Sequence, residues 1–138
     1  MLSVGWFSSG RGEGSKGLLR SVQNQILEGK IDASIRFVFS NREPGESNGS
    51  DSYFELVRSY GIPLITFSSK NFHRTQQGSP ADRRIEYDRK VMQLLRASSV
   101  DVCFLAGYML IVGSEMCFHW PLINLHPALP NGPIGTWQ

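Results

Sequence analysis

Leu2-Ser3-Val4-Gly5-Trp6-Phe7, followed at once by Ser8-Ser9-Gly10-Arg11-Gly12-Glu13-Gly14-Ser15-Lys16-Gly17, is the stretch on which the fold turns. The first six residues are mostly apolar and suit a strand. The next ten hold four glycines. Beyond them, residues 18–28 place Leu18, Leu19, Val22, Ile26 and Leu27 near one face of a helix, with Gly29 as its stop. A strand, a glycine-rich turn and a helix in that order predict the opening unit of a parallel α/β sheet. In such a turn backbone N–H groups can point inward, and the helix amino terminus adds a field that favours an anion. A phosphate cradle is the functional reading, and a flexible surface loop the structural one. Gly12-Glu13-Gly14-Ser15-Lys16 lacks the spacing of a Walker loop. The dinucleotide fingerprint is also incomplete, because Ser15 holds the place of its third glycine.

The alternation continues along the chain. Residues 35–39 form a second strand ending in Ser40-Asn41-Arg42, and residues 43–50 carry turn chemistry in Pro44, Gly45, Asn48 and Gly49. A helix over residues 52–60 stops at Gly61, and a third strand spans residues 62–67. Gly78-Ser79-Pro80 opens another helix, with Asp82 as its expected cap and Glu86 with Lys90 as an i,i+4 pair on a solvated face. Residues 100–106 are an almost continuous apolar run, as expected of a strand central in the sheet and buried on both faces. A short helical or irregular piece over residues 113–119 leads to a last strand, residues 122–126, halted by Pro127; the proline- and glycine-rich residues 127–138 read as loop. The expected fold is α/β: one domain over residues 1–138, an open and mostly parallel sheet with helices on both faces.

Composition narrows the function classes. In 138 residues, 41% are hydrophobic, enough for a core in one domain. A net charge of +2 with scattered basic residues argues against a nucleic-acid surface or a membrane patch. The first residues lack the basic and apolar regions of a secretion signal, and no apolar run nears the ~20 residues of a bilayer span, so the cytoplasm is the expected compartment. Cys103 and Cys117, each in an apolar setting, are expected to be buried reduced thiols, and their spacing matches no zinc pattern. No metal is expected.

Two further segments can carry chemistry. In Ile123-Asn124-Leu125-His126-Pro127, strand alternation puts Asn124 and His126 on one face and Leu125 on the other. An amide and an imidazole at the carboxyl end of a parallel strand stand where open α/β sheets place ligands, able to stabilise an oxyanion and move a proton. A purely structural pair is the alternative. The run Leu105-Ala106-Gly107-Tyr108-Met109-Leu110-Ile111-Val112 leaves its strand without turning polar, and either walls a flat apolar ligand or packs the core. His73 and His119 read as surface or packing residues.

These motifs occur in a fixed order: Ser-Gly-x-Gly after the first strand, Phe-Ser-Asn-Arg after the second, Tyr-Asp-Arg in a helix, Leu-Ala-Gly-Tyr-Met, then Asn-Leu-His-Pro. Together they resemble the phosphoribosylglycinamide formyltransferases, a folate-dependent formyltransferase family of purine synthesis. The resemblance spans Ser3 to about Pro130 and implies a Rossmann-like formyltransferase fold. It implies transfer of a formyl group from 10-formyltetrahydrofolate, the co-substrate, to the amine of glycinamide ribonucleotide. By that likeness Gly12, Ser15 and Lys16 hold the ribonucleotide phosphate. Met109, Leu110, Ile111 and Val112 border the folate pterin, Arg84 lies near the folate, Asn124 fixes the formyl oxygen and His126 is the general acid. Small-molecule partners are implied, with a homodimer as the assembly to consider.

This sequence departs from the family pattern in three places. Glu13-Gly14 reads as an insertion in the phosphate loop. Leu110 stands where an arginine is frequent, and residues 131–138 replace the usual continuation. Family members go on to an aspartate that pairs with the histidine, so the chain is expected to be a fragment, truncated at its carboxyl end and inactive alone. The rival readings are a formyltetrahydrofolate hydrolase or a formyltransferase for another amine, a non-catalytic nucleotide-binding module, and an inactive paralogue. Against the nucleotide module, the second strand ends without the acidic residue that holds an adenosine ribose.

Overall fold

The computed structural model describes residues 1–125. Five strands, β1 (Leu2–Phe7), β2 (Ala33–Ser40), β3 (Leu64–Thr66), β4 (Val102–Ala106) and β5 (Leu122–Leu125), form one sheet in the order β3-β2-β1-β4-β5. Every neighbouring pair is parallel, which requires crossover connections, and here helices supply them. They are α1 (Glu13–Leu27), α2 (Asn48–Ser59), α3 (Ser69–Thr75), α4 (Pro80–Leu94) and α5 (Ser114–His119).

Helices cover both faces of the sheet. On the first, Leu19 of α1 and Tyr53, Phe54 and Val57 of α2 pack on Val4, Trp6, Ile35, Val38 and Val102. On the second, Phe72 of α3, Tyr87 and Val91 of α4 and Met116 of α5 pack on Phe7, Phe37, Phe39 and Cys103. Strict alternation would send Ile35 and Phe37 to the same side. The register between β1 and β2 instead shifts by one residue between Val4, opposite Ile35, and Gly5, opposite Phe37, so the two side chains enter opposite cores. Gly5 makes room for this: a Cβ there would lie 2.5 Å from Phe37 Cζ and 2.8 Å from Cys103 Sγ.

Several boundaries differ from expectation. α1 begins at Glu13, five residues early, so half of the glycine-rich stretch is helix; the chain is held there by Lys16, whose Nζ donates to Ser52 Oγ of α2 at 2.7 Å. α2 begins at Asn48 because Ser47 caps it, accepting from Ser50 N–H at 3.1 Å. Asp82 does not cap α4. Ser79 does, accepting from Asp82 N–H, with Pro80 in the first turn and Asp82 as the acidic residue that suits the helix dipole. α3 was not anticipated. Ser68 caps its seven residues and Phe72 anchors them in the core.

Glu86 meets Arg89 at 2.9 Å, the i,i+3 neighbour, in place of Lys90. Arg89 also reaches Glu115 of α5 at 2.7 Å, a partner only the packing supplies. Cys103 is buried as expected, but Cys117 is exposed: α5 has six residues and buries one face through Met116, leaving Cys117 and Phe118 outside. The glycine stops hold, with Gly29 at φ 76° and Gly61 at φ 71° in the left-handed region just past α1 and α2.

Candidate active site at the carboxyl rim of the sheet

Ser8 and Ser9, the first residues past β1, have no exposed surface. Ser8 N–H donates to Phe39 O at 2.9 Å and Ser9 N–H to Gly107 O at 3.0 Å, so the chain leaving β1 is gripped between its two neighbours. Ser9 Oγ donates to Asn41 Oδ1 at 2.6 Å and accepts from Met109 N–H at 3.0 Å. Asn41 Nδ2 then donates to Ser69 Oγ at 3.0 Å, and Ser50 Oγ to Ser9 O at 3.1 Å. One buried network thus ties together the loops that follow β1, β2, β3 and β4. Sequence reading passed over it, although small hydroxyl residues and an asparagine directly after two apolar strands were the signal.

From this hub the glycine turn emerges. Gly10 takes φ 66°, and a Cβ there would meet Tyr53 at 2.8 Å, so only glycine fits both the conformation and the space. Gly12 is the extended N-cap of α1 and offers no side-chain cap to the amides of the first turn, the arrangement that suits an anion. Ser15 lies in that turn, with its Oγ 2.7 Å from where a Gly107 Cβ would stand. Lys16 is largely covered and engaged with Ser52 Oγ and, at 3.7 Å, with Glu13, which places Glu13 at the turn as a counter-charge. The close approach of Gly107 to Ser15 brings the turn beside the segment that leaves β4.

That segment walls a cavity of about 420 Å³. Met109, Leu110 and Ile111 form one side, while Pro80, Arg83, Arg84, Tyr87 and Asp88 of α4 and His73 of α3 form the other. Met109 and Ile111 are 48% and 70% exposed, so apolar surface faces an opening flanked by two guanidinium groups. Arg83 Nε is buried without an acceptor among the described residues. Val112, predicted with its three predecessors, is not on this wall but packs against the second core. His73, read from sequence as a packing or surface residue, belongs to the cavity. Burial, then the charges of Arg83 and Arg84, hold its imidazole below the ordinary pKa and favour the neutral form.

Asp88 sets the spacing of the two walls. It is 3% exposed and accepts from Gly113 N–H at 2.7 Å, fastening the end of the 107–113 segment to α4. Burial pushes its carboxyl pKa up, opposed by the Gly113 N–H and by Arg84. Tyr87 donates to Phe67 O and stacks on the Phe67 ring at 5.3 Å, which fixes α4 to the strand layer below.

Asn124 is exposed on β5, opposite Leu105, which in turn stands opposite Phe7. It is therefore level with the last residue of β1, one residue short of the end of β4 and on the side of the sheet that carries the cavity. It is not one of the cavity's lining residues. His126, the expected proton donor, and the loop expected over residues 127–138 lie outside the described residues. Among the described residues no group of three His, Cys, Asp or Glu is placed to hold a metal, and no helix is long and apolar enough to cross a membrane.

A family model described as formyl transferase matches residues 9–135. The chain is 30% identical over 121 residues to the phosphoribosylglycinamide formyltransferase of Escherichia coli (strain K12), covering 86% of this chain and 49% of that protein. Its fold matches glycinamide ribonucleotide transformylase 1 from Symbiobacterium toebii with a TM-score of 0.69 at 25% identity, covering 99% of this chain and 56% of the other. A formyltetrahydrofolate deformylase from Pseudomonas putida KT2440 shares the fold with a TM-score of 0.64 at 21% identity, covering 91% of this chain and 38% of the other. The chain thus spans about half the length of the formyltransferase relatives it matches. With the family match covering residues 9–135, which include β2 to β5 and the loops of the rim, the chain belongs to the formyl transferase family.

Proposed function

We propose that the chain carries the amino-terminal part of an enzyme that transfers a formyl group from a 10-formyltetrahydrofolate-type donor to the amine of glycinamide ribonucleotide. One observation carries the reading: an apolar wall, Met109 to Ile111, faces Arg83 and Arg84 across a single cavity, and the open amino terminus of α1 lies next to it. A flat heterocycle suits the wall, and the carboxylates of the donor's glutamate suit the Arg83 and Arg84 guanidinium groups. The phosphate of the acceptor suits the amides of the first turn of α1, around Gly12 and Ser15, with Lys16 adding positive charge.

In this scheme the acceptor amine attacks the formyl carbon, the new C–N bond forms, and the bond from that carbon to N10 of the donor breaks. Oxyanion charge develops in between. The Asn124 amide donates to that oxygen, and His126 in its protonated form supports it, gives a proton to the leaving nitrogen and takes up the proton that the attacking amine sheds. Met109, Leu110 and Ile111 keep water from the donor. A cytoplasmic compartment and a homodimer go with the same reading, the latter open to test by sedimentation.

Calorimetry with a hydrolytically stable folate analogue tests the cavity. Arg84→Ala is expected to weaken binding by about tenfold or more, the worth of a charge-assisted hydrogen bond, and equal affinity in the variant would remove the cavity from the proposal. The hydrolase is the rival, since a deformylase shares the fold. Formate release that ignores the amine would favour it.

A further inference from the structure

We propose that the polar cavity bounded by Arg42, Lys70 and Arg74 is a second anion-binding site, separate from the amino terminus of α1, that takes a small molecule bearing two or more carboxylate or phosphate groups. The inference does not depend on the formyl-transfer reading. This cavity, about 340 Å³, lies beyond the ends of β2 and β3, with the buried Asn41 and Ser69 also in its lining. Its volume exceeds that of a single water or simple ion and suits a compact polyanion.

The charges of the lining are unbalanced. Three cations face one carboxylate, Glu46, and Glu46 Oε1 accepts from Glu43 N–H at 3.2 Å. The neighbouring Glu43 carboxylate is also turned to backbone, accepting from Ser68 N–H at 3.1 Å. Among the described residues none of Arg42, Lys70 and Arg74 is in an ion pair. The Arg74 guanidinium is oriented by Asn71 Oδ1 at 2.7 Å, which holds one side of its fork and leaves donors for a ligand. A recess lined by one sign of charge concentrates counter-ions, and fixed forks bind carboxylate and phosphate with little loss of side-chain freedom.

The residues beneath are held in place. Asn41 and Ser69 are 6% and 7% exposed and bonded to each other, and Asn41 is bonded through Ser9 to Met109 N–H of the first cavity. An anion resting on Ser69 and Arg42 therefore touches the same network that sets the apolar wall, which gives the second site a physical route to the first.

Amide chemical shifts followed by NMR during titration separate the possibilities, with inorganic pyrophosphate as the phosphate probe and tricarballylate as the carboxylate probe. The expected result is saturable shifts at residues 42–46 and 69–74, with Lys70→Gln and Arg74→Gln each weakening binding by about tenfold. Both positions are exposed, so the variants keep the fold, which unchanged thermal midpoints would verify. The probe that binds more tightly identifies the chemistry. Shifts confined to residues 12–17, no saturation with either probe, or equal affinity in the Lys70→Gln/Arg74→Gln double variant would each overturn the proposal.

Discussion

The two faces of the sheet are packed by different chemistry, and each prepares a different part of the rim. The first is aliphatic over most of its buried residues, with Trp6, Tyr53 and Phe54 as its buried rings, and Trp6 Nε1–H donates to Tyr53 Oη at 2.9 Å. Its helices begin close to β1, where Gly10 folds against Tyr53 and the amides of α1 open toward solvent. The second face is built on rings. Phe7 meets Tyr108 edge-on at 5.4 Å and Trp120 at 5.9 Å, and Phe67 stacks on Tyr87. That aromatic layer reaches the cavity through Tyr87, itself a lining residue, and lies beneath the Met109 to Ile111 wall. A backbone-lined turn open to solvent thus rises from the first side and an apolar, arginine-flanked cavity from the aromatic side, within reach of one another because β1 and β4 are neighbours.

The sharpest way to break this contrast is to remove a ring at its centre. Phe7→Ala deletes a fully buried side chain that touches four other rings, and should cost about 3–5 kcal/mol in chemical denaturation. Anion binding at the α1 turn should survive under conditions where the variant is folded, while ligand affinity in the cavity should fall. A loss below about 1 kcal/mol would mean that the aromatic face repacks freely and does not support the cavity wall.

On the other face, Gly10→Ala should cost about 2 kcal/mol, because the new methyl would sit at φ 66° and press against the near end of the Tyr53 side chain. The signature expected is the reverse of the first: weaker phosphate binding at α1 with the cavity unchanged. Wild-type stability would show that the turn relaxes without strain.

The smallest effect concerns the link between α4 and the wall. The Asp88 carboxyl has a folded-state pKa raised above its usual value, chiefly by burial. Its native form therefore binds a proton more readily than the unfolded chain does. That contribution is fully present below the usual carboxyl pKa and is lost as pH rises through the raised folded value. Asp88→Asn keeps an acceptor for Gly113 N–H and carries no charge. Denaturation midpoints compared at about pH 4 and about pH 7 should show less loss with rising pH in the variant than in the parent chain. Identical profiles would show that Asp88 titrates as if exposed.

Much of the site was legible in part. Strand after strand was visible because a buried parallel strand must be apolar, and Gly29 and Gly61 announced the ends of α1 and α2 because the left-handed conformation favours glycine. The family resemblance marked Met109 to Val112 and Arg84, and the structure lines one cavity with Arg84, Met109, Leu110 and Ile111 while Val112 turns to the core. His73 was not marked, since a histidine in a short polar segment has no local pattern. Nor was α3, whose Ser68 cap and single Phe72 anchor give too short a period to distinguish from loop.

What the sequence by itself determined was the series of elements, the parallel sheet and the presence of a glycine turn at the first crossover, since these follow from periodicity and backbone freedom within a few residues. Only the tertiary structure decided the rest: the one-residue shift that parts Ile35 from Phe37, the start of α1 at Glu13, the exposure of Cys117, and the Ser9 bonds to Asn41 and Met109 across 32 and 100 residues. Those outcomes depend on which distant groups can satisfy a buried hydroxyl or fill a space beside a glycine. That is a property of packing, and no local pattern records it.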